Sequence, residues 1–134
     1  MNQIHAGLDV LLSDPKVFIK GKNVGLLVNQ TSIASDGQHS ISHFRQFSDF
    51  ELVKLFAPEH GLYGTEQDMT EVTESTDPIS GLPVASLYGK SQESLVPNSA
   101  ALEGIDTLIY DIQDVGARYY TFANTLANCM RVCG

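Results

Sequence analysis

The stretch that decides the fold is FELVKLFAPEHGLYG, residues 50–64. Its apolar beginning predicts a buried strand over residues 50–56. Pro58 fixes one backbone angle and has no N–H to donate, so the strand is expected to end before it. Two glycines follow within six residues and permit backbone angles that other residues resist. The stretch therefore predicts a strand followed by a shaped loop that presents Glu59 and His60.

Other segments repeat this alternation of strand and connection. Apolar runs predict three further strands, over residues 24–28, 84–87 and 107–112. Helical spacing of apolar residues predicts helices over residues 3–14, 39–47 and 99–102, and from Phe122 to the carboxyl terminus. Nearly continuous apolar strands separated by helices or long connections are typical of parallel βαβ units. The sequence therefore predicts an α/β fold with a mostly parallel sheet of about four strands and flanking helices.

Length and charge restrict the class of protein. The 134 residues are enough for one domain, and the formal net charge is -8. Nucleic acids and anionic membranes need a basic surface, so neither is predicted as the main partner. No apolar run approaches the roughly 20 residues that a membrane-spanning helix needs. The first residues show no signal peptide, which leaves the localisation unknown, either cytoplasmic or secreted after signal removal.

Polar clusters follow each of the predicted strands. They occupy residues 29–32, 59–64, 88–89 and 113–119. In an open α/β sheet, ligands bind outside the carboxyl ends of the strands. We therefore predict that the functional site lies along this edge of the sheet.

Several chemistries lack their sequence signatures. No Gly-x-Gly-x-x-Gly follows the first strand, no Walker loop is present, and no Gly-x-Ser-x-Gly elbow occurs. His39 and His43 have the spacing of zinc ligands on a helix, but the protease pattern is absent and we interpret them as an exposed pair. The carboxylates near the strand ends show no compact ligand spacing either. The sequence therefore predicts no metal site and no cofactor.

Carboxylate chemistry remains, and Glu59 is the best placed acid. A glycosidase needs one group that protonates the leaving oxygen and a second that activates water or attacks the sugar. The alternative for Glu59 is a structural carboxylate that binds nearby backbone amides and stiffens the loop. For Asp114 and Arg118 the alternative is an ion pair across their turn. For Tyr119 and Tyr120 it is packing at the edge of the core.

Three motifs carry a resemblance to a known family. They are PEHG at residues 58–61, GLPV at 81–84 with SLYG at 86–89, and DIQDVGARYYT at 111–121. They resemble the exo-β-N-acetylmuramidases, a bacterial family long known only as a domain of unknown function. The match keeps the order of the family motifs and runs from about Gly7 to the carboxyl terminus. The resemblance implies a Rossmann-like catalytic domain followed by a smaller second domain.

The resemblance also implies an activity and a site. Members of this family remove N-acetylmuramic acid from the non-reducing ends of peptidoglycan fragments, so the implied partners are muramyl saccharides. Glu59 corresponds to the catalytic carboxylate. The residues implied to line the cleft are His60, Asn29, Asp114, Arg118 and Tyr119.

Two features depart from the family pattern. The loop after the glutamate motif reads QDMTE at residues 67–71, where family members often carry small residues and a glycine. The chain also ends at Gly134, before the further strand and second domain of the family. We therefore expect residues 1–134 to be the truncated amino-terminal portion of a Rossmann-like catalytic domain, with the second domain absent from the chain. An open edge strand would then allow self-association.

Two other functions stay open at this point. The first is a truncated, non-catalytic module that binds a sugar or a protein partner. The second is a nucleotide-binding module of the Rossmann type, against which the missing glycine fingerprint speaks.

Overall fold

The computed structural model describes residues 4–65, 75–88 and 95–134. Its helices are α1 (Gly7–Ser13), α2 (Pro15–Phe18), α3 (Ser40–Phe44), α4 (Ser99–Leu102) and α5 (Phe122–Cys133). Its strands are β1 (Asn23–Val28), β2 (Glu51–Ala57), β3 (Ser75–Thr76), β4 (Pro83–Ser86) and β5 (Thr107–Asp111). Within the described ranges, no helix has the length and apolar character that crossing a membrane requires.

The strands form a five-stranded sheet in the order β3-β4-β2-β1-β5. β1 pairs in parallel with β2 on one side and with β5 on the other, and β2 pairs in parallel with β4. The short β3 runs antiparallel to β4. The predicted α/β fold with a mostly parallel sheet is therefore confirmed. β3 is a fifth strand, in a segment that the sequence predicted as a polar loop.

The apolar run of β1 is buried on both faces of the sheet. Val24, Leu26 and Val28 belong to one core cluster together with Leu8 of α1 and Phe44 of α3. Burial of one such side chain stabilises the fold by about 1.5–3 kcal/mol. The central position of β1 thus explains why its sequence is apolar without alternation.

The opposite face of the sheet carries a second cluster. It contains Leu27, Phe56 and Ala85 from three neighbouring strands, with Ala101 of α4 and Cys129 of α5 packed against them. The sheet is therefore covered by helices on both faces. This arrangement leaves the carboxyl ends of the strands as the place where the intervening loops meet.

Helix boundaries differ from those predicted. α3 ends at Phe44, three residues before the predicted end, and α1 begins at Gly7. α2 was not predicted, because Pro15 was interpreted as the end of a helix. Pro15 instead occupies the first turn of α2, where its fixed φ and missing N–H are tolerated.

Candidate functional site

The loop after β2 has a constrained backbone. Pro58 is buried, and its carbonyl accepts a hydrogen bond of 3.1 Å from the Gly61 N–H. His60 has φ 71°, the only positive φ of a non-glycine residue in the described part of the chain. A side chain in this left-handed region costs about 1 kcal/mol, and such strain persists mainly at functional sites. At Gly64, also in this region, a Cβ would lie 2.7 Å from the Gln30 side chain.

Glu59 is half-buried and is held by a residue far away in the sequence. The Thr121 hydroxyl donates a hydrogen bond of 2.8 Å to Glu59 Oε2. The ring of Tyr120 lies with its centroid 6.4 Å from that of His60 and 5.4 Å from that of Phe122. The segment that precedes α5 therefore lies against the loop after β2. This contact brings the PEHG motif and the DIQDVGARYYT motif together.

Asn29 lies inside the protein at the end of β1, with 1% of its surface exposed. Its Oδ1 accepts hydrogen bonds from the backbone N–H and the hydroxyl of Thr31, at 2.9 and 2.7 Å. The Thr31 hydroxyl in turn accepts from the Gln113 N–H at 3.0 Å, so the loops after β1 and β5 are joined. Asn29 Nδ2 is buried without a hydrogen-bond partner. A buried donor of this kind is costly unless something else binds it.

His39, which caps α3, and His43, which lies within it, are not the exposed pair that the sequence predicted. The His39 Nδ1 accepts from the Ile41 N–H at 3.2 Å, so Nε2 carries the proton and donates to the Asn29 carbonyl at 2.8 Å. His43 pairs instead with Asp36 at 3.2 Å. Both imidazoles are half-buried, and each contacts a neighbouring loop.

Asp111 ends β5 and its side chain is largely enclosed. Its Oδ2 is buried without a hydrogen-bond partner, and its backbone carbonyl accepts from the Ser32 hydroxyl. Burial raises the pKa of Asp111, against smaller opposing contributions from the Ser40 hydroxyl and from His39. The carboxyl group is therefore easier to keep neutral than an exposed aspartate.

The remaining predicted residues lie on the exposed loop after β5. Asp114 Oδ1 accepts a hydrogen bond of 2.7 Å from the Gly116 N–H and closes its own turn. The ion pair with Arg118 that the sequence offered as an alternative does not form, although both residues belong to the described part of the chain. Tyr119 is 94% exposed. Its ring projects into solvent rather than packing on the core.

A shallow, open cleft of about 430 Å³ lies at the start of α5. Its lining residues are Asp114, Gly116, Ala117, Arg118, Tyr120, Ala123 and Asn124. Because Tyr120 also contacts His60, the cleft adjoins the loop that carries Glu59. Asp114 and Arg118 line the cleft, and the Tyr120 ring connects it to His60 in the loop that carries Glu59. Asn29 lies under the loops, and Tyr119 does not line the cleft.

Two residues of the site were missed by sequence reasoning. Thr121 was quoted within a motif but given no role, and Thr31 was placed in a polar loop without a partner. The available signal for Thr121 was its position directly before an apolar helical stripe, where threonine is a common helix cap. Its actual partner could not be found in this way, because Glu59 is 62 residues away.

Some predictions concern residues outside the described ranges. These are the QDMTE segment at 67–71, most of the acidic loop around it, and Gly89. Within residues 4–65, 75–88 and 95–134, no group of three or more His, Cys, Asp or Glu side chains could hold a metal ion.

Comparison with known proteins identifies the family. The family model described as "Exo-beta-N-acetylmuramidase NamZ, N-terminal" matches residues 24–134. The chain is 39% identical over 128 residues to the peptidoglycan beta-N-acetylmuramidase NamZ of Bacillus subtilis strain 168, covering 96% of this chain and 30% of that protein.

Two crystal structures of DUF1343 family proteins from Bacteroides fragilis NCTC 9343 have the same fold. The first is 34% identical with a TM-score of 0.81, and the match covers 96% of this chain and 31% of that one. The second is 27% identical with a TM-score of 0.65, covering 91% and 30%. The chain spans about 30% of the length of the relatives that it matches. It belongs to the exo-β-N-acetylmuramidase NamZ family, whose amino-terminal part it matches.

Proposed function

We propose that this protein is a glycosidase that removes N-acetylmuramic acid from the non-reducing ends of peptidoglycan fragments. The observation that carries the proposal is the Glu59 carboxylate at the carboxyl end of β2, held by Thr121 beside the cleft at the start of α5. The similarity to the peptidoglycan beta-N-acetylmuramidase of Bacillus subtilis supports the substrate class. Residues 1–134 would supply the amino-terminal portion of the catalytic domain.

Glu59 is the group that we propose for proton transfer. Hydrolysis breaks the bond between C1 of the sugar and the glycosidic oxygen, and water adds to C1. The leaving oxygen must take up a proton as that bond breaks, which is the task of the acid in a carboxylate-based glycosidase. Glu59 would supply this proton, while His60, in its strained conformation next to Glu59, would contact the sugar.

Arg118 suits the charge of this substrate. N-acetylmuramic acid carries a lactyl carboxylate that N-acetylglucosamine lacks, and a guanidinium group can bind a carboxylate through two hydrogen bonds. Arg118 lines the cleft without an ion-pair partner among the described residues, in a chain whose net charge is -8. Asp114, Tyr119 and the buried Asn29 amide are proposed as further contacts or supports of the bound sugar.

The central test is the turnover of a chromogenic β-N-acetylmuramide. Glu59→Gln should lower kcat by about 10²- to 10⁴-fold, since the amide cannot deliver a proton. Glu51→Gln is the matched control, because Glu51 is exposed at the opposite end of the same strand. Arg118→Met should raise KM for the muramide and leave the corresponding glucosaminide unaffected. Unchanged turnover in Glu59→Gln would remove Glu59 from the catalytic role.

The two alternative functions would give different experimental outcomes. A non-catalytic module would bind N-acetylmuramic acid in calorimetry but release no product over hours. Turnover by residues 1–134 alone would exclude that alternative. A nucleotide-binding module would be stabilised by nucleotides in a thermal-shift screen and not by muramic acid.

We also propose that the outer edge of β5 supports self-association. β5 occupies one end of the strand order, and its residues are half-buried. A groove of about 520 Å³ runs beside it, lined in part by Ile33, which is 45% exposed. Sedimentation velocity should detect a dimer that Ile33→Lys weakens and Ile79→Lys, at an exposed turn on the far side of the sheet, does not. A monomer at all concentrations would contradict this proposal.

A further inference from the structure

Thr121 occupies the position that normally caps a helix, but its side chain does something else. A threonine before the first helical residue usually has an extended backbone and accepts a hydrogen bond from an N–H of the first turn. Thr121 instead has φ -88° and ψ -6°, and its side chain makes no cap hydrogen bond with α5. Its hydroxyl donates to Glu59 Oε2 at 2.8 Å. The Thr121 side chain therefore bonds a carboxylate far away in the sequence instead of the first turn of α5.

The backbone that carries this hydroxyl is firmly placed. Phe122, the next residue, is 3% exposed, and its carbonyl accepts a hydrogen bond of 3.0 Å from the Tyr110 hydroxyl on β5. Burial raises the pKa of Tyr110 to about 12, so this hydroxyl keeps its proton at neutral pH. The Thr121 carbonyl accepts from both the N–H and the hydroxyl of Thr125, at 2.8 and 3.0 Å. The position of the donor is therefore set by the core and not by Glu59.

From this geometry we infer that Thr121 is a positioning residue for Glu59. The hydroxyl donates to Oε2, so Oε2 is an acceptor and Oε1 becomes the oxygen that carries the proton to the substrate. A carboxyl group held at one oxygen by a fixed donor cannot rotate to exchange its two oxygens without breaking that bond. This inference rests on the proposed function for its catalytic consequence, but the hydrogen bond itself can be tested without turnover.

The experiment compares three variants of the protein. Thr121→Val removes the hydroxyl and keeps the shape, while Thr121→Ser keeps the hydroxyl. Thr107→Val is the matched control, because the Thr107 hydroxyl bonds only to the backbone of Lys20, at the amino end of β5 and away from Glu59. Glu59 becomes a charged carboxylate as it transfers its proton, and loss of a hydrogen bond to a charged group corresponds to a factor of about 10 to 150.

In turnover of the chromogenic muramide, Thr121→Val should lower kcat by about 10- to 150-fold. KM should change by less than about threefold, because the affected group acts on the transition state rather than on binding. Thr121→Ser and Thr107→Val should stay within about threefold of the unchanged protein. If Thr121→Val retains full kcat while Glu59→Gln is inactive, the inference is wrong.

A spectroscopic measurement separates this inference from the proposed function. In protein labelled with ¹³C at the glutamate side-chain carboxyl, the Glu59 signal is assigned by its loss in Glu59→Gln. That signal should move in Thr121→Val and stay in place in Thr121→Ser and Thr107→Val. An unmoved signal would overturn the inference even in an inactive protein. A moved signal in a protein without turnover would support the contact and contradict the proposed activity instead.

Discussion

The hydroxyl of Tyr63 donates a hydrogen bond of 2.5 Å to Oδ1 of the buried Asp77. The other oxygen of Asp77 accepts from the N–H and the hydroxyl of Ser80, at 2.7 and 2.5 Å. Asp77 is 2% exposed, so these three donors replace the water that the carboxylate loses on folding. The contact fastens the loop that contains Glu59 to the turn that follows β3.

Removing the Tyr63 hydroxyl should weaken the fold. Tyr63→Phe leaves Asp77 with two donors, and we expect a loss of about 1 kcal/mol in the free energy of unfolding, since the ring is partly exposed. Urea denaturation followed by circular dichroism measures this loss. Tyr119→Phe is the control, because the Tyr119 side chain is almost fully exposed. Equal stability of the two variants would contradict the prediction.

The same carboxylate predicts a dependence of stability on pH. Burial raises the pKa of Asp77, but the hydrogen bonds from Ser80 and Tyr63 outweigh it and the pKa lies below its usual value. Asp77 therefore contributes stability above the unfolded pKa of about 3.9, and this contribution is lost as the pH falls through the lower folded pKa. Asp77→Asn should be less stable than the unchanged protein at pH 7, with a difference that shrinks below about pH 4. A difference independent of pH would refute this.

Asp111 predicts the opposite behaviour. Burial raises the pKa of Asp111, so folding favours the neutral form of this carboxyl group. Its contribution to the free energy of unfolding is fully present below about pH 3.9 and is lost as the pH rises through the folded pKa. Asp111→Asn removes the buried charge and should raise the free energy of unfolding by about 1 kcal/mol at pH 7. The gain should disappear near pH 3.5. Asp14→Asn, at an exposed carboxylate, should change stability little at either pH.

The strained backbone of His60 predicts a difference between two simple substitutions. Glycine adopts φ 71° without a side-chain clash, whereas alanine keeps the strain. His60→Gly should therefore be more stable than His60→Ala by about 1 kcal/mol in chemical denaturation. Both should lose muramide turnover, because both lack the imidazole. Equal stability of the two variants would show that the observed backbone angle carries no cost.

Much of the fold follows from local pattern. The apolar runs of β1, β2 and β5 were predicted to within about one residue, because nearly continuous apolar sequence is typical of strands in a parallel sheet. The stop at Pro58 follows from its missing N–H. The helix ends were predicted less well, since they depend on how each helix packs and not only on its spacing.

The candidate site, like the fold, could be predicted from the sequence only in part. The sequence alone determined that Glu59 and His60 follow a buried strand, that polar loops gather at one edge of the sheet, and that the family motifs are present. Only the tertiary structure decided that β1 lies between β2 and β5, that Asn29 is buried, and that Thr121 reaches Glu59. Local periodicity encodes which segments are buried. It does not encode which strand ends become neighbours, because that depends on how the whole chain crosses over the sheet.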